Sequence, residues 1–179
     1  MENTSINKAV KASLFLAIAI IFQILGRNIP QINQFLVGPV VNAVLILTVY
    51  ICDTKWGVLT GILTPVLAWF VGQLLTPLAP FIPFIAIGNA IYVIFFGGLK
   101  KYKFGIYISI ISGSFAKFIF LSFASSNLVH LFKLNIPEKY LDKLVISMGV
   151  PQLITGIIGG IISAILIQIL LKRKIIHTF

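Results

Sequence analysis

The sequence predicts an all-α integral membrane protein: a six-transmembrane-helix bundle with cytoplasmic N- and C-termini, built as one domain over residues 1–179. Three observations carry that expectation. Hydrophobic residues make up 59% of the chain and charged ones 10%, at a mean hydropathy of +1.06, more apolar surface than a water-soluble fold can hide. The apolar residues fall into blocks of about 20, the length at which a helix spans a bilayer. The polar–apolar alternation of a membrane barrel is absent, and a helix satisfies its own backbone within lipid.

The first span is expected over about residues 9–25. It has Lys8 and Lys11 before it and no small-x-small cleavage site after it, which points to a retained helix rather than a removed signal peptide. A polar connector with Pro30 covers 26–34. Span 2 follows over 35–52, with Gly38-Pro39 placed in its first turn, where proline is tolerated. Asp53-Thr54-Lys55 forms a turn. Span 3 covers 56–75, and Pro65 at its middle predicts a kink or break. Residues 76–80 form a proline-bearing loop. Span 4 covers 81–98 and span 5 covers 104–124. A polar loop over 125–143 follows, in which Pro137 opens a helix running into span 6 at 144–171, with a kink at Pro151.

Basic residues sit at the edges of these blocks. The net charge of +10 is therefore read as a topology signal rather than a nucleic-acid footprint. With an even number of spans, Lys8, Lys11, Lys55, Lys100, Lys101, Lys103, Lys172, Arg173 and Lys174 share the side of the termini. Arg27, Lys133, Lys139 and Lys143 lie opposite, the last two of them beside Glu138 and Asp142. That asymmetry places both termini in the cytoplasm. Small residues mark helix contacts: Gly57, Gly61, Thr64, Ala68 and Gly72 in span 3, and Gly156, Gly160 and Ala164 in span 6.

Enzyme chemistry finds little to work with. G-x-x-x-x-G-K-[ST], H-E-x-x-H and G-x-S-x-G are all missing. The four acids lie outside the apolar cores, His130 and His177 fall in a loop and the tail, and Cys52 is the single cysteine, so neither a catalytic cluster, a cofactor nor a metal set is expected.

The exception to the apolar cores is Lys117. A lysine at bilayer depth costs roughly 2.5–3.5 kcal/mol on insertion scales and usually faces a bundle interior or a wet cavity. Ser109, Gly113, Lys117, Leu121 and Ser125 recur at helical spacing, a small and polar stripe that suits an interior face better than snorkelling to the headgroups. Gln23, Asn42, Trp69, Gln73, Asn89, Gln152 and Thr155 fall at a similar depth, in the outer halves of their spans. Separate interhelical hydrogen bonds would explain each one singly. Their clustering predicts an outward-facing polar pocket roofed by residues 26–34, 76–80 and 125–143. The candidate ligand contacts are Lys117, Asn89, Gln73, Trp69, Gln152, Asn42 and Arg27. Lys117 has no acid in the cores to pair with, so the pocket suits a carboxylate or phosphate, with Arg27 helping capture and Trp69 packing on an apolar part.

With QFLVGPVVNAVLIL in span 2 and PLAPFIPFIAIGNA leading into span 4, the chain resembles the substrate-binding S component of energy-coupling factor (ECF) vitamin transporters over essentially its whole length. The resemblance implies capture of a vitamin-like small molecule, pantothenate being one anionic example and a thiamine pyrimidine precursor a neutral one. It also implies a prokaryotic plasma membrane, a transmembrane coupling protein and two ATPase subunits that hydrolyse ATP. The family's Ala-x-x-x-Ala docking motif on the first span has the approximate counterpart Ala9, Ser13 and Ala17, with Ala12 and Ala19 as a second small face. A nickel or cobalt carrier is disfavoured, because no N-terminal histidine is present. Two readings of another class stay open: a membrane-embedded lipid enzyme, and a scaffold subunit without a ligand.

Overall fold

The computed structural model describes residues 2–28 and 33–176; among them the regular elements are all helical. In chain order they are α1 (Glu2–Arg27), α2 (Asn33–Cys52), α3 (Thr54–Phe70), a 3-10 turn (Thr76–Phe81), α4 (Ile82–Leu99) and α5 (Gly105–Phe123). A π-helical turn (Ala124–Leu128) and a last short turn, α6 (Val129–Leu131), extend α5. Then come α7 (Glu138–Met148) and α8 (Val150–Lys172). Pro30 of the first connector and His177 of the tail lie outside the described residues.

Among the described residues, five stretches are long and apolar enough to cross a membrane: Ser5–Arg27, Gln34–Cys52, Thr76–Leu99, Gly105–Leu131 and Val150–Lys172. The third expected span is shorter than the sequence suggested. α3 has 17 residues, about 25 Å of helix at 1.5 Å per residue, and ends at Phe70 instead of running to Leu75. Gly72 ends it. Its φ of +73° lets Gly72 N donate to Trp69 O and Gln73 N to Ala68 O, the paired bonds of a left-handed helix stop that disfavours side chains with a Cβ.

The prolines also behave differently from expectation. Pro65 does not break α3, which continues through it. Proline has no N–H for the carbonyl four residues back. That carbonyl, Gly61 O, instead accepts from the Asn89 side-chain amide at 3.0 Å. Pro39 lies well inside α2 rather than in its first turn, because the helix begins at Asn33. Pro151 does not kink a long final helix. It sits in the first turn of α8, after a break at Gly149, where its missing N–H costs nothing. Ser147 O, one of the end carbonyls of α7, accepts from Gln34 Nε2 at 2.6 Å and Gln152 Nε2 at 3.4 Å.

α2 is the axis of the bundle. Residues 42–50 are buried without interruption, while α8, α1, α3 and α4 pack around it. One apolar cluster, including Leu45, Val49, Tyr92, Phe96, Ile110 and Ile167, fills one half of the bundle. A second joins Leu78, Phe81, Leu121, Leu144 and Met148 beneath α7. The small residues act as contact points: a Cβ on Gly160 would fall 2.1 Å from Ile110 Cγ2, so α8 meets α5 at glycine distance.

Direct contacts show which ends lie together. Lys8 of α1 forms an ion pair with Asp53 of the α2–α3 turn. Lys100 after α4 donates to Val49 O near the end of α2 at 2.8 Å. Leu171 near the end of α8 lines the same cleft as Tyr50 and Lys100. The first turns of α1 and the last of α8 therefore share one end of the bundle. Arg27, the 71–75 turn and α7 lie at the other.

The Lys8 ammonium, hydrogen-bonded to Asp53, holds that carboxyl below the ordinary carboxylate range. A depressed carboxyl contributes stability that is complete above the unfolded-state pKa and is lost as pH falls through the folded-state value. The melting-temperature gap between wild type and Asp53→Asn is therefore expected at neutral pH and should close below about pH 4; a gap that widens in acid contradicts this. Gly160→Val is expected to cost about 1–3 kcal/mol by overpacking. Gly98→Ala, whose Cβ meets nothing within 4 Å, should hold or raise stability. Thermal unfolding in detergent reads both.

Candidate functional site

At the end remote from the termini the helices surround a cavity of about 620 Å³, a volume suited to a small organic ligand. Its walls come from nearly every element. α1 supplies Gln23 and Arg27, α2 supplies Gln34 and Asn42, α3 supplies Thr64 and Ala68, and the turn after it supplies Gln73. Asn89 of α4, Lys117 of α5, Lys143 and Ser147 of α7, and Gln152 of α8 complete the polar lining, with Leu78, Ile85 and Met148 among the apolar contacts.

Lys117 is the centre of this arrangement. It lies on the buried face of α5 with Ser109, Gly113 and Leu121, while Phe115 and Ile119 on the opposite face are exposed toward lipid. The residue is only 3% exposed, and its Nζ donates to Asn42 Oδ1 at 2.8 Å. The ammonium also stands 5.7 Å from the centroid of the Tyr92 ring, within range of a cation–π contact. Tyr92 is in turn fixed by its hydroxyl donating to Gly156 O at 2.8 Å. The interior reading of Lys117 therefore holds, and its partners are a neutral amide and an aromatic face.

The other walls are set by proline-freed and helix-end carbonyls. Asn89 bonds Gly61 O, and Gln23 Nε2 reaches Thr64 O at 3.4 Å while its Oε1 is buried without a hydrogen-bond partner. Arg27 Nη1 donates to Val71 O at 3.2 Å and packs against Gly72, pinning the guanidinium where α3 ends. Gln34 and Gln152 converge on Ser147 O, holding α7 across the cavity.

Six of the seven residues expected to contact a ligand line this one cavity: Lys117, Asn89, Gln73, Gln152, Asn42 and Arg27. The seventh, Trp69, is not among the lining residues. Its neighbour Ala68 faces the cavity, and the Trp69 ring, one position on, packs at 5.0 Å against Phe70. Thr155 is buried beneath Gly38 rather than in the lining. The roof also differs from the expected loop over 125–143. It is α7, a separate amphipathic helix that turns Leu144 and Met148 inward and places Lys143 and Ser147 on the cavity. Gln34, Lys143 and Ser147 were missed; the spacing of Leu141, Leu144 and Met148 ahead of Gly149-Val150-Pro151 was the available signal. On α1, Ala9, Ser13 and Ala17 lie on an outer face, half-buried or exposed, and Ser13 Oγ donates to Ala9 O. Ala12 and Ala19 are buried, so the second small face is spent on packing inside the bundle.

The lining residues carry three cationic side chains, Arg27, Lys117 and Lys143, and no carboxylate. Among the described residues no group of three or more His, Cys, Asp or Glu is placed to hold a metal. Fold and cavity together define a helical membrane protein with a cationic site sized for a solute. The sequence model of one family, described as the ECF transporter substrate-specific component, matches residues 7–171. The chain belongs to that family, whose members are substrate-binding transport subunits and not enzymes. Neither the curated proteins nor the solved structures gave a match.

Asn42→Leu leaves the Lys117 ammonium buried without its hydrogen bond and should destabilise by about 1–3 kcal/mol or more. Adding Lys117→Met should recover much of that loss, because two apolar groups replace both partners. A double-mutant cycle by thermal unfolding checks it; additive effects would mean that the pair does not interact.

Proposed function

We propose that this chain is the substrate-capture subunit of an ECF-type ABC importer that binds an anionic, water-soluble micronutrient, such as a carboxylate-bearing vitamin, in the cavity under α7. The single observation that carries the reading is the buried Lys117 ammonium in a cavity wall without a carboxylate. A carboxylate or phosphate beside it gains a charge-assisted hydrogen bond and offsets the cost of the buried charge. Arg27 and Lys143, toward the end of the bundle, draw an anion in. Asn42, Asn89, Gln73 and Gln152 supply further donors and acceptors, and Trp69 acts indirectly by packing behind α3.

In this proposal α3 is the sixth crossing, since 17 residues stand at the lower limit for a spanning helix. The end rich in lysine faces the cytoplasm of a prokaryotic cell, and the cavity faces outward. The open face of α1 at Ala9, Ser13 and Ala17 docks on the transmembrane coupling protein, and two ATPase subunits supply the energy. A neutral ligand such as a pyrimidine vitamin precursor is the second reading. The observation favouring it is that Lys117 already has the Asn42 amide and the Tyr92 ring for neighbours.

A thermal-shift panel of vitamins and precursors separates the two. An anionic ligand at about 100 times its Kd should stabilise the wild type by about 2.7 kcal/mol. Lys117→Met should weaken that ligand by about tenfold or more. A neutral compound that stabilises wild type and variant alike would overturn the anionic reading.

A further inference from the structure

The bundle carries a second cleft, of about 240 Å³, at the opposite end from the first, between the end of α2, the corner joining α4 to α5, and the end of α8. Tyr50, Lys100, Lys101, Tyr102, Tyr107 and Leu171 are among the residues that line it. Its most buried charged member is Lys100, 7% exposed, with its Nζ on Val49 O at 2.8 Å and 5.8 Å from the centroid of the Tyr50 ring. Burial pushes this lysine down to about 8, so keeping it charged is costly.

The rim is strongly cationic and aromatic. Lys101 and Lys103 lie exposed on the corner, and Lys172, Arg173 and Lys174 follow Leu171 directly. Phe104 adopts a left-handed conformation at φ 60°, and Phe104 and Tyr102 are both well exposed. Among the described side chains, the carboxylate at this end is Asp53, which pairs with Lys8 and also attracts Lys100 and Lys101, so the lysines of this end outnumber it. Beyond the corner, the exposed side of α5 continues with Tyr107, Ile108 and Ile111, an apolar track leading from the cleft into the hydrocarbon region. Basic pockets between helices at a membrane surface suit phosphate headgroups, and interfacial aromatics mark the same depth.

We propose that this cleft is a binding site for an anionic phospholipid, with the headgroup phosphate against Lys100 and Lys101, the Tyr102 and Tyr107 hydroxyls at its edge, and an acyl chain along Ile108 and Ile111. The phosphate supplies negative charge beside a buried ammonium, and the aromatic corner holds the glycerol region at the interface. The site is independent of the ligand cavity, and its occupant comes from the leaflet on the side of the termini.

Native mass spectrometry of the full-length, delipidated protein tests this, with phosphatidylglycerol and phosphatidylcholine of identical acyl chains as probes. Wild type should retain phosphatidylglycerol at least about tenfold better. Lys101→Gln with Lys103→Gln should lower that preference by about fivefold for each lysine. Lys55→Gln, an exposed change at the same end but outside the cleft, should leave it unaltered. Soluble glycerol phosphate in excess should not displace the lipid. Equal retention of the two lipids, an equal loss in the Lys55→Gln control, or displacement by glycerol phosphate would each overturn the proposal. Exposed lysines are chosen so that both variants fold.

Discussion

The hydrogen bond from the Lys117 ammonium to the Asn42 amide ties the two halves of this molecule together. It is a charged group near the middle of an apolar bundle, and it stays there only because other features allow it. Asn42 must sit on the axis helix α2 at matching depth. Tyr92 must turn its face to the ammonium, which its bond to Gly156 O ensures. The helices must also stay close enough for these side chains to meet, and small residues on α5 and α8 permit that. A buried ion without an opposite charge is costly. On the proposed reading, a ligand that brings a negative charge offsets that cost.

A second constraint shapes the walls. Proline inside a helix leaves the carbonyl four residues back in need of a donor, and so does the end of a helix. Asn89 serves Gly61 O opposite Pro65, and Gln34 and Gln152 serve Ser147 O in the last turn of α7. The same amides line the cavity. Side chains that look like isolated polar residues in apolar spans thus have a structural duty, and that duty presents them at the cavity surface. A structural bond and a place on the cavity wall are thus compatible in one side chain.

The sequence made the helical bundle legible because apolar block length is a local signal. The burial of the Lys117 stripe followed from helical spacing and the cost of a lysine in lipid, and the shared cavity of six amide and cationic residues from their common depth in the spans. What could not be read was set by long-range contacts. The fate of Pro65 depends on Asn89, 24 positions away along the chain. Trp69 points elsewhere because Ala68, one position earlier and about 100° away around α3, is the residue that faces the cavity. The start of α7 at Pro137 was legible, but its end was not, because its few apolar residues were read together with the span that follows Gly149. The burial of Ala12 and Ala19 likewise depends on where α1 meets its neighbours, which its own composition does not encode.

Two cationic sites at opposite ends give the molecule a polarity that its apolar exterior does not show. The larger is lined by side-chain amides; the smaller is lined by tyrosines, Phe104 and lysines. The central claim concerns the larger one, that a negative charge belongs beside Lys117. Its most direct measurement is chemical identification, by high-resolution mass spectrometry, of the small molecule released on denaturing the protein purified from cells grown in rich medium. The account predicts a stoichiometric compound bearing a carboxylate or phosphate. A stoichiometric compound that is neutral or cationic would contradict it.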